Sequence, residues 1–484
     1  MKKWTILENV EIEKLVLWWK WFATLKSENK DIDWKTLIIT WNPIPWSIVN
    51  LKVTKNRKNY YETQIVETIK TSPIEKKHES NPYWISWWWK WINIPYKKQL
   101  EIKQNQVKES LFNIEKKQNN LVFEDIEPSP IVDWYRNKVE FSYWKYLSKK
   151  YNIEQHFNVW FHKQWEFSKV EDFDWCPLID ELQNKIYLEI KAYSKTLWLP
   201  VYDQMRQSGF FRHILIRKTH FTNEMMLLIS FNPEYFEENK KLDKNEKLEA
   251  IKEFLLSLSK KYPEIKSIYF SHNPNKADTA IWDLELIYWS KTITEKLLDL
   301  SFSISPTSFF QTNSSWAEKL YSLVLNFANS KEKLREMTIL DLYGWTWTIW
   351  MVFAKSWAKK VYSVELVSSA SKDGKNNAKL NKIKNIEFIN SKVEDFLKDY
   401  KKYKVNNWLL IIDPPRAWMN PSALEDILKF ETKQIIYVSC NPATLARDLW
   451  YILDNSDYKI EKIRPVDMFP HTSHIETIVS LVKN

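Results

Sequence analysis

The chain has 484 residues, of which 71 are lysine or arginine and 61 are aspartate or glutamate, giving a formal net charge of +10. At about 150 residues per domain this length predicts roughly three domains, and a hydrophobic content of 44% provides the side chains for large cores. This composition excludes a disordered or fibrous protein, and two cysteines exclude a disulfide scaffold and a metal site built from four cysteines.

No apolar run approaches the roughly 18 residues that a membrane-spanning helix requires. The first residues, Met1-Lys2-Lys3 followed by WTILENVEIEKL, contain no unbroken apolar stretch of the kind found in signal peptides. We therefore expect a soluble, cytoplasmic protein with no membrane partner.

The glycine and tryptophan counts are abnormal. The chain has 3 glycines and 28 tryptophans, whereas average usage predicts roughly 34 glycines. Tryptophan also occupies positions where turn residues belong, as in Pro45-Trp46-Ser47 and Ala417-Trp418-Met419. We hypothesise that most of these residues are glycines encoded by UGA in a lineage that reads this codon as glycine, written here as tryptophan. An unusually tryptophan-rich protein is the alternative.

Residues 1–70 are expected to form a domain of short β-strands. Apolar and polar side chains alternate along residues 48–53, which is the pattern of a strand with one buried face. We expect a small β-barrel of the OB type here. Its basic residues form either a plain solvated surface or a track for phosphates; they are Lys52, Lys55, Arg57 and Lys58.

A central α+β domain is expected over residues 71–300. The polar stretch 97–118 predicts a helix with Leu100, Val107 and Leu111 toward one side, which could pack on the domain that follows. Strands and helices alternate after this helix. The central region is therefore expected to combine a sheet with helices.

The C-terminal residues 301–484 alternate apolar strands with helices. This order is typical of a parallel, doubly wound sheet, in which ligands bind at the carboxyl ends of the strands. The fold class expected for the chain is α/β, with a C-terminal doubly wound, Rossmann-like sheet, an N-terminal small β-barrel and a central α+β domain.

The first motif is DLYGWTWTIW at residues 341–350, between an apolar strand and a helix. With glycine in place of tryptophan it becomes DLYGGTGTIG, a turn that lets a cofactor approach the backbone and the positive end of the helix. Glu365 ends the next strand, where an acid binds a ribose in this layout. Together these features predict a nucleoside cofactor. A surface carboxylate is the alternative for Glu365.

The second motif places Asp413, Pro414 and Pro415 directly after the apolar strand LLII. The prolines have no N–H to donate and stiffen the turn. The acid is therefore expected at the edge of the sheet where ligands bind. A proline-terminated strand end without a ligand is the alternative.

The third motif, VSCNPATLARDL at residues 438–449, contains Cys440 between an apolar strand and a helix that is expected to begin near Pro442. A helix N-terminus favours the thiolate form of cysteine and so makes it a nucleophile. An inert core cysteine is the alternative.

Taken in this order, the motifs resemble those of the RNA uracil-C5 methyltransferase family, which depends on S-adenosylmethionine and acts on tRNA and ribosomal RNA. The stretch IEKLVLWWKWFA at residues 12–23 resembles the start of the RNA-binding TRAM barrel of the branch that acts on ribosomal RNA. WYRNKVEFSYW at residues 134–144 and SFFQTN at residues 308–313 are also similar to family motifs. The tryptophans of the motifs stand where the family has glycine, which supports the codon hypothesis independently.

The resemblance implies roles for the matching positions. The S-adenosylmethionine contacts of the family match Gln311, Tyr343, Glu365 and Asp413. The nucleophile matches Cys440, and the proton acceptor matches Glu476. A charge on a strand flank is the alternative for Glu476, and we interpret the nearby His471 and His474 as local structure or RNA contacts.

The implied reaction explains these residue types. Uracil C5 is a poor nucleophile, and attack of the Cys440 thiolate on C6 makes C5 carbanion-like. C5 then takes a methyl group, and Glu476 removes the C5 proton so that the thiolate can leave. The uridine must be turned out of any stack. The charge of +10 suits an RNA partner, ribosomal RNA in preference to tRNA, and no obligate protein partner is inferred.

The chain departs from the family pattern in its cysteines. Many members of the branch that acts on ribosomal RNA hold an iron–sulfur cluster on four cysteines, three of them in a stretch resembling residues 81–91 and the fourth resembling Cys176. Residues 81–91 contain no cysteine. We therefore expect no iron–sulfur cluster and no metal.

Three alternatives to this function are open. The first is a methyltransferase for a uridine in the tRNA T-loop. The second is a catalytically inactive RNA-binding homologue, because real tryptophans at residues 345 and 347 would block the cofactor loop. A cytosine-C5 RNA methyltransferase is disfavoured, because that similar family keeps a second cysteine beside its Asp-Pro motif, where this chain has DPPR.

Overall fold

In a computed structural model of the chain, the described residues form two compact units. The first unit comprises Met1–Ser129, Pro414–Leu428 and Ile435–Asn484, and the second comprises Pro130–Asp413 and Lys429–Gln434. The three-domain division with boundaries after residues 70 and 300 stays a prediction. The residues that the structure describes are 3–12, 21–23, 36–39, 44–58, 60–76, 91–148, 153–163, 166–170, 172–328, 335–344, 348–356, 358–399, 408–414, 419, 421–430 and 432–483.

Strands and helices of the described residues are numbered in chain order. The strands are β1 (Ile6–Glu11), β2 (Trp21–Ala23), β3 (Thr36–Ile39), β4 (Ile48–Asn56), β5 (Tyr60–Lys70), β6 (Lys138–Ser148), β7 (Ile153–Trp160), β8 (His162–Lys163), β9 (Glu166–Val170), β10 (Phe211–Lys218), β11 (Met225–Phe231), β12 (Ile265–His272), β13 (Asp283–Trp289), β14 (Ile293–Leu297), β15 (Leu300–Ile304), β16 (Thr338–Leu342), β17 (Lys360–Glu365), β18 (Ile386–Asn390), β19 (Trp408–Ile412), β20 (Gln434–Ser439), β21 (Lys459–Val466) and β22 (Glu476–Val482). The helices are α1 (Tyr96–Ser110), α2 (Phe112–Lys117), α3 (Glu181–Thr196), α4 (Tyr235–Glu238), α5 (Lys244–Lys261), α6 (Ser314–Phe327), α7 (Thr348–Ser356), α8 (Ser368–Leu380), α9 (Val393–Asp399), α10 (Pro421–Lys429) and α11 (Pro442–Asn455).

The first unit begins with a five-stranded sheet of order β1-β4-β5-β3-β2. The alternation predicted for residues 48–53 is confirmed, because Val49, Leu51 and Val53 on β4 are buried and the residues between them are partly exposed. These side chains pack with Leu7, Leu37 and Tyr61 in an apolar cluster. The predicted small β domain at the N-terminus is therefore confirmed.

Basic side chains of β4 and the following turn are partly engaged within this sheet. Lys55 and Arg57 both approach the carboxylate of Glu62 on β5, at 3.3 and 3.7 Å. The Lys52 ammonium lies 4.4 Å from the centre of the Trp4 ring. Two of the four cations, for which a solvated surface and a phosphate track were both open, thus have a carboxylate partner in their own sheet.

The helix predicted over residues 97–118 is present as α1 and α2, separated at Leu111. Its predicted apolar side requires a correction: Leu100 is only partly buried, whereas Gln99, Lys103 and Gln106 are buried together with Val107. These polar residues recur at the spacing of one helix face. Gln99 and Lys103 can be buried because they find partners in the loop between β21 and β22. The helix α1 also packs against α11 and β21.

The C-terminal strands of the first unit run in the order β20-β22-β21. β21 and β22 pair antiparallel, with Val466 opposite Glu476. The predicted start of the helix after Cys440 is confirmed, because α11 begins at Pro442.

The second unit contains a six-stranded sheet of order β13-β12-β11-β10-β6-β7. β11 and β12 are parallel, and the other neighbouring strands are antiparallel. α3 and α5 pack on it. Asp180 and Asp243 cap these helices by accepting hydrogen bonds from backbone N–H groups of the first turn. Two short antiparallel pairs, β8 with β9 and β14 with β15, complete this part of the unit.

A parallel sheet of order β18-β17-β16-β19 also belongs to the second unit. Helices α7, α8 and α9 follow β16, β17 and β18 in the chain, which is the β-α alternation of a doubly wound sheet. β16 and β19 are buried along their whole length, as strands covered on both faces are. The predicted α/β fold class is confirmed.

Among the residues that the structure describes, five tryptophans have a left-handed backbone. Their φ angles lie between 41° and 78°, a region that costs residues with a Cβ roughly 1–2 kcal/mol and that glycine enters freely. Trp198 directly follows the C-cap of α3, the position at which helices most often place glycine, and its side chain is 94% exposed. The five residues are Trp4, Trp46, Trp134, Trp198 and Trp289.

Among the described residues, no helix combines the length and the apolar character needed to cross a membrane.

Candidate functional site

Three of the four predicted cofactor residues lie at one edge of the parallel sheet of the second unit. Leu342, the last residue of β16, is in register with Val364 on β17 and with Ile412 on β19. The next residues along the three strands therefore emerge side by side at the carboxyl edge, where ligands of such sheets bind. They are Tyr343, Glu365 and Asp413.

Asp341 is the last residue but one of β16, two residues before Tyr343, and has no exposed surface. Its Oδ2 accepts a hydrogen bond from the Ser363 hydroxyl, whereas its Oδ1 has no hydrogen-bond partner among the described residues. Burial raises the pKa of Asp341 well above its usual value, and the charges of Asp413 and Glu365 raise it further, against the hydrogen bond from Ser363. The neutral acid is thus favoured.

Gly344 occupies a space that admits no side chain. A Cβ at this position would lie 2.4 Å from the Ser363 Oγ and 2.5 Å from the Asp341 Oδ2. Its N–H donates to the Val364 carbonyl at 3.2 Å, so the loop after β16 is fixed to β17. Tyr343 before it has a left-handed φ of 70°, a strained conformation that is often found at ligand sites.

Glu365 is almost fully buried. Its Oε1 accepts a hydrogen bond from the N–H of Val367 at 2.6 Å. Burial raises the pKa of Glu365, and backbone hydrogen bonds from Val367 and Leu366 partly offset this effect. The carboxylate is held by the turn that leads into α8, so its position is defined by the backbone.

Asp413 follows the buried strand β19. Burial raises the pKa of Asp413 to about 7, so its charge changes within the physiological range. A carboxyl group of this kind at a strand end is a candidate ligand site on physical grounds as well, because perturbed pKa values cluster at functional sites.

Gln311 lies in the segment that joins β15 to α6. Its carbonyl accepts a hydrogen bond from the Asn137 side chain at 2.8 Å. Upstream in the same segment, the Ser308 hydroxyl donates to Asp373 on α8 at 2.6 Å. The segment that carries Gln311 is therefore tied to the helix that follows Glu365.

These groups fit a nucleoside cofactor. One buried carboxyl oxygen of Asp341 has no partner among the described residues, and a polar group of a ligand could satisfy it. The close packing of Gly344 on Ser363 fixes the loop beside it. Glu365 and Asp413 supply acceptors at the ends of the two strands that flank β16.

In the first unit, Cys440 lies between β20 and α11. Asn441 caps the helix, since its Oδ1 accepts a hydrogen bond from the N–H of Ala443 at 3.1 Å. The thiol is partly exposed and precedes the positive end of a helix dipole, which favours a thiolate. Both conditions suit a nucleophile.

A buried cluster fixes α11 against β20. The Tyr437 hydroxyl on β20 donates to Asp448 on α11 at 2.8 Å, and the Arg447 Nε donates to the other oxygen of Asp448 at 2.8 Å. Asp448 itself has no exposed surface. The strand end and the helix start that bracket Cys440 are thereby held in place.

Glu476 is the first residue of β22, which neighbours β20 in the sheet order. The loop before it, residues 467–475, is held by α1. The Lys103 ammonium donates to the Asp467 Oδ1 at 2.6 Å and to the Phe469 carbonyl at 3.0 Å. A helix from the early part of the chain thus restrains the loop that leads to the predicted proton acceptor.

Gln99 on the same face of α1 holds His471. The His471 N–H donates to the Gln99 Oε1 at 2.8 Å, and the Gln99 Nε2 lies 3.1 Å from the His471 Nδ1. His471 therefore has a local structural role, as expected from the sequence. His474 packs its ring against Phe469, with 6.0 Å between centroids.

Two groups of functional interest were missed in the sequence. Asp341 is part of a quoted motif, but its neutral state follows from burial, which the motif does not reveal. Gln99 and Lys103 lie four residues apart on a polar helix. This spacing could have indicated a buried polar face, but it does not name partners more than 360 residues away.

Several predicted features lie outside the described residues. They are the tryptophans at 345, 347 and 418, Pro415, most of the stretch 12–23 and residues 81–90 of the stretch without cysteine.

Comparisons with known proteins agree with these motifs. The family model described as tRNA (uracil-5-)-methyltransferase matches residues 288–484. An uncharacterized RNA methyltransferase of Clostridium tetani is 36% identical over 90% of this chain and 91% of its own length. One of Fusobacterium nucleatum is 34% identical over 90% and 88%, respectively.

A similar fold has been solved. The tRNA (uracil-54, C5)-methyltransferase of Pyrococcus abyssi, crystallised with S-adenosyl-L-homocysteine, matches with a TM-score of 0.69 over 98% of this chain and 99% of that protein. Its sequence identity is 23%, so the likeness concerns the fold.

Proposed function

Because the chain belongs to the RNA (uracil-5-)-methyltransferase family and is an S-adenosylmethionine-dependent enzyme of that kind, we propose that it methylates C5 of a uridine in ribosomal RNA through a covalent adduct with Cys440. The observation that carries the proposal is the position of Cys440, partly exposed between the end of a buried strand and a capped helix N-terminus. A core cysteine would be fully buried, as Cys176 is.

The cofactor is proposed to bind Gln311, Tyr343, Glu365 and Asp413. When bound, S-adenosylmethionine supplies a methyl group on a positively charged sulfur. Glu365 would accept hydrogen bonds from a ribose, since its carboxylate is fixed by the turn into α8. Gly344 lets the loop after β16 pack directly against Ser363 and Asp341, since a Cβ would collide with both, and so fixes the backbone next to Tyr343.

Cys440 is proposed to attack C6 of the uracil as a thiolate. This forms a carbon–sulfur bond and moves electron density to C5, which becomes able to accept a methyl group. Glu476 then takes the proton from C5, and the electron pair of that bond expels the thiolate and restores the C5–C6 double bond. The loop 467–475, restrained by Lys103 and Gln99, keeps Glu476 in position for this step.

Ribosomal RNA is the preferred substrate because the N-terminal β domain, proposed as a TRAM-like RNA-binding module over residues 1–70, resembles that of the branch acting on ribosomal RNA. Residues 71–300 are proposed as a central domain and residues 301–484 as the methyltransferase domain. A uridine in tRNA is the second candidate, since the matching family model is described by a tRNA activity.

We further propose that the natural protein carries glycine at most tryptophan positions. The five tryptophans with left-handed φ support this, since that backbone suits glycine and is disfavoured for bulky residues. Glycine at 345 and 347 would also open the loop after Tyr343 to a cofactor. Trp350 lies in α7 and is buried, so glycine at 350 would affect the helix. Ser363 and Asp341 already enforce glycine at 344.

The test of the proposed function uses transcripts of ribosomal RNA and of tRNA with methyl-labelled S-adenosylmethionine, and a protein with glycine at the loop tryptophans. We expect 5-methyluridine in the ribosomal transcript, detected by mass spectrometry of nucleosides. Label in tRNA alone would move the assignment to the second candidate, and 5-methylcytidine would overturn the uracil specificity.

Two variants separate the chemical steps. Cys440→Ala is expected to abolish methyl transfer and any covalent RNA–protein product. Glu476→Gln is expected to accumulate a covalent product on a denaturing gel, because the C5 proton stays in place and the thiolate cannot leave. An active Cys440→Ala variant would rule out the nucleophile.

A further inference from the structure

We propose that a lysine-lined groove in the second unit binds the phosphate backbone of the RNA substrate, several nucleotides away from the methylated uridine. The inference rests on the proposed function for its substrate class and goes beyond it by naming a second contact. The groove has a volume of about 610 Å³ and lies where α8 ends and β18 begins. Its lysines are Lys375, Lys379, Lys382 and Lys384.

The four lysines are exposed, and none forms an ion pair with a carboxylate within the described part of the chain. The two acids nearby are already engaged. Glu387 at the rim lies 2.7 Å from the Lys360 ammonium, and Asp373 on α8 accepts a hydrogen bond from the Ser308 hydroxyl at 2.6 Å. The charge of Glu387 is thus offset by a lysine outside the groove, whereas Asp373 keeps its charge beside four lysines. The groove therefore presents a net positive charge, which suits a polyanion.

Lys382 occupies a backbone position that usually carries glycine. Its φ is 56°, and it sits just past the end of α8, where the N–H of Ile383 closes the helix by donating to the Ala378 carbonyl at 2.9 Å. Glycine or asparagine is preferred at this position. The left-handed backbone is unfavourable for lysine, and the residue places a cation at the groove. Residues with a strained backbone of this kind are often found at binding sites.

The C-terminal end of α8 is held in place by side-chain hydrogen bonds to β15. The Asn381 Oδ1 accepts a hydrogen bond from the N–H of Ser301 at 2.8 Å, and its Nδ2 donates to the carbonyl of the same residue at 2.7 Å. Asn377 makes the same pair of bonds with Ser303. Because α8 is clamped to β15, the lysines are presented with little loss of backbone freedom on binding.

The groove is remote from the cofactor edge of the same unit. Ile386, the first residue of β18, is in register with Val361 near the amino end of β17, whereas Glu365 ends that strand. α8 spans the distance between the two edges, and its 13 residues correspond to about 20 Å. At about 3.4 Å per nucleotide along one strand, an RNA must extend roughly six nucleotides to reach both.

Residues 358–399 contain no tryptophan, so the groove is independent of how the tryptophan codons are read. An ordinary solvated lysine face is the competing explanation. It predicts that neutralising these lysines acts only through net charge, as neutralising any four exposed lysines would.

The experiment compares two full-length variants with the parent. The groove variant carries Lys375→Gln, Lys379→Gln, Lys382→Gln and Lys384→Gln. The matched control carries Lys240→Gln, Lys241→Gln, Lys244→Gln and Lys260→Gln, four exposed lysines around α5 of the same unit. Binding of an unmodified ribosomal RNA transcript is measured against salt concentration, without cofactor, so that the result does not depend on catalysis.

We expect the groove variant to lose about tenfold or more in affinity and to show a salt slope smaller by about three, from roughly 0.7–0.9 for each of the four lost phosphate contacts. The control should change less than threefold on the same scale. Equal losses in both variants, or no loss in the groove variant, would overturn the proposal. If binding changes as expected but no methyl transfer occurs with any protein, the groove stands and the proposed reaction fails.

Two further measurements separate binding from folding. A uridine dinucleotide is too short to span the roughly 20 Å between the cofactor edge and the groove, so its affinity should be equal for the parent and the groove variant. Lys382→Asn should keep or raise the Tm, because asparagine tolerates the left-handed backbone, and yet should weaken binding of the long transcript. Loss of Tm together with loss of short-oligonucleotide binding would assign the lysines a purely structural role.

Discussion

Lys103 and Asp467 form an ion pair of 2.6 Å in which neither side chain has any exposed surface. Burial lowers the pKa of Lys103, and the charge and hydrogen bond of Asp467 act in the opposite direction. The pair joins α1 to the loop that precedes Glu476, so its effect on catalysis passes through the position of that loop.

Replacing Lys103 by methionine leaves Asp467 as a buried carboxylate without its cation. We expect Lys103→Met to lower the free energy of unfolding by about 3–5 kcal/mol, as for other broken buried pairs. The double variant Lys103→Met/Asp467→Leu should regain most of this loss, because no uncompensated charge is left. Urea unfolding of the two single variants and the double variant measures the coupling, and additive losses would contradict it.

Gly344→Ala is expected to destabilise the loop after β16. Its Cβ would meet the Ser363 Oγ at 2.4 Å, and the hydroxyl cannot retreat because it is bonded to buried Asp341. We expect a loss of about 1–3 kcal/mol, typical of overpacking, and weaker binding of S-adenosyl-L-homocysteine by calorimetry. Adding Ser363→Ala should recover part of the loss; a fully tolerated Gly344→Ala would show that the cradle is wider than described.

The stability of the parent should depend on pH through Asp413. Its pKa is raised to about 7 by burial in the fold, against an ordinary value near 3.9 when unfolded. The stabilising effect of the neutral acid is therefore complete below about pH 4 and is lost as the pH rises to about 7. Asp413→Asn mimics the neutral acid, so its Tm should match the parent at low pH and exceed it at pH 8. A constant difference at all pH values would contradict the shifted pKa.

Peptide mass spectrometry of the protein from its native cells tests the reading of the tryptophan codons. We expect glycine masses at positions 345, 347 and 350, within the peptide that covers residues 338–360. Tryptophan masses would reject the codon hypothesis, and the search for activity would then turn to RNA binding without turnover.

Single substitutions test the same hypothesis by stability. Trp198→Gly is expected to raise the free energy of unfolding by about 1 kcal/mol, because it removes a left-handed tryptophan at the end of α3. Trp282 is 51% exposed and has no left-handed φ, so Trp282→Gly serves as the control and should be neutral or destabilising. Equal effects of both changes would mean that the backbone conformation is not the cause.

Most of the fold could be predicted because its signals are local. The strands β4, β16 and β17 and the helix α11 were expected near their observed bounds from periodicity and turn residues. The common edge of Tyr343, Glu365 and Asp413 was also expected, since the carboxyl ends of parallel strands meet there.

The polar face of α1 could not be predicted in the same way. Lys103 is stable inside the protein only because Asp467 meets it, and no local pattern connects residues this far apart. The neutral state of Asp341 likewise depends on surrounding packing. What escaped prediction in both cases is a polar group whose environment is supplied by distant segments.

The ion pair between α1 and the loop before Glu476 also constrains when this part of the chain can fold during synthesis. Lys103 and Asp467 are 364 residues apart in the chain, so at about 5–20 residues per second the helix emerges from the ribosome roughly 20–70 s before its partner. During that interval the helix face with Gln99 and Lys103 is either exposed to water or covered by a transient contact. The loop that leads to Glu476, the proposed proton acceptor, can assume its final form only after nearly all of the chain has been made, so we expect catalytic competence only at the last stage of folding.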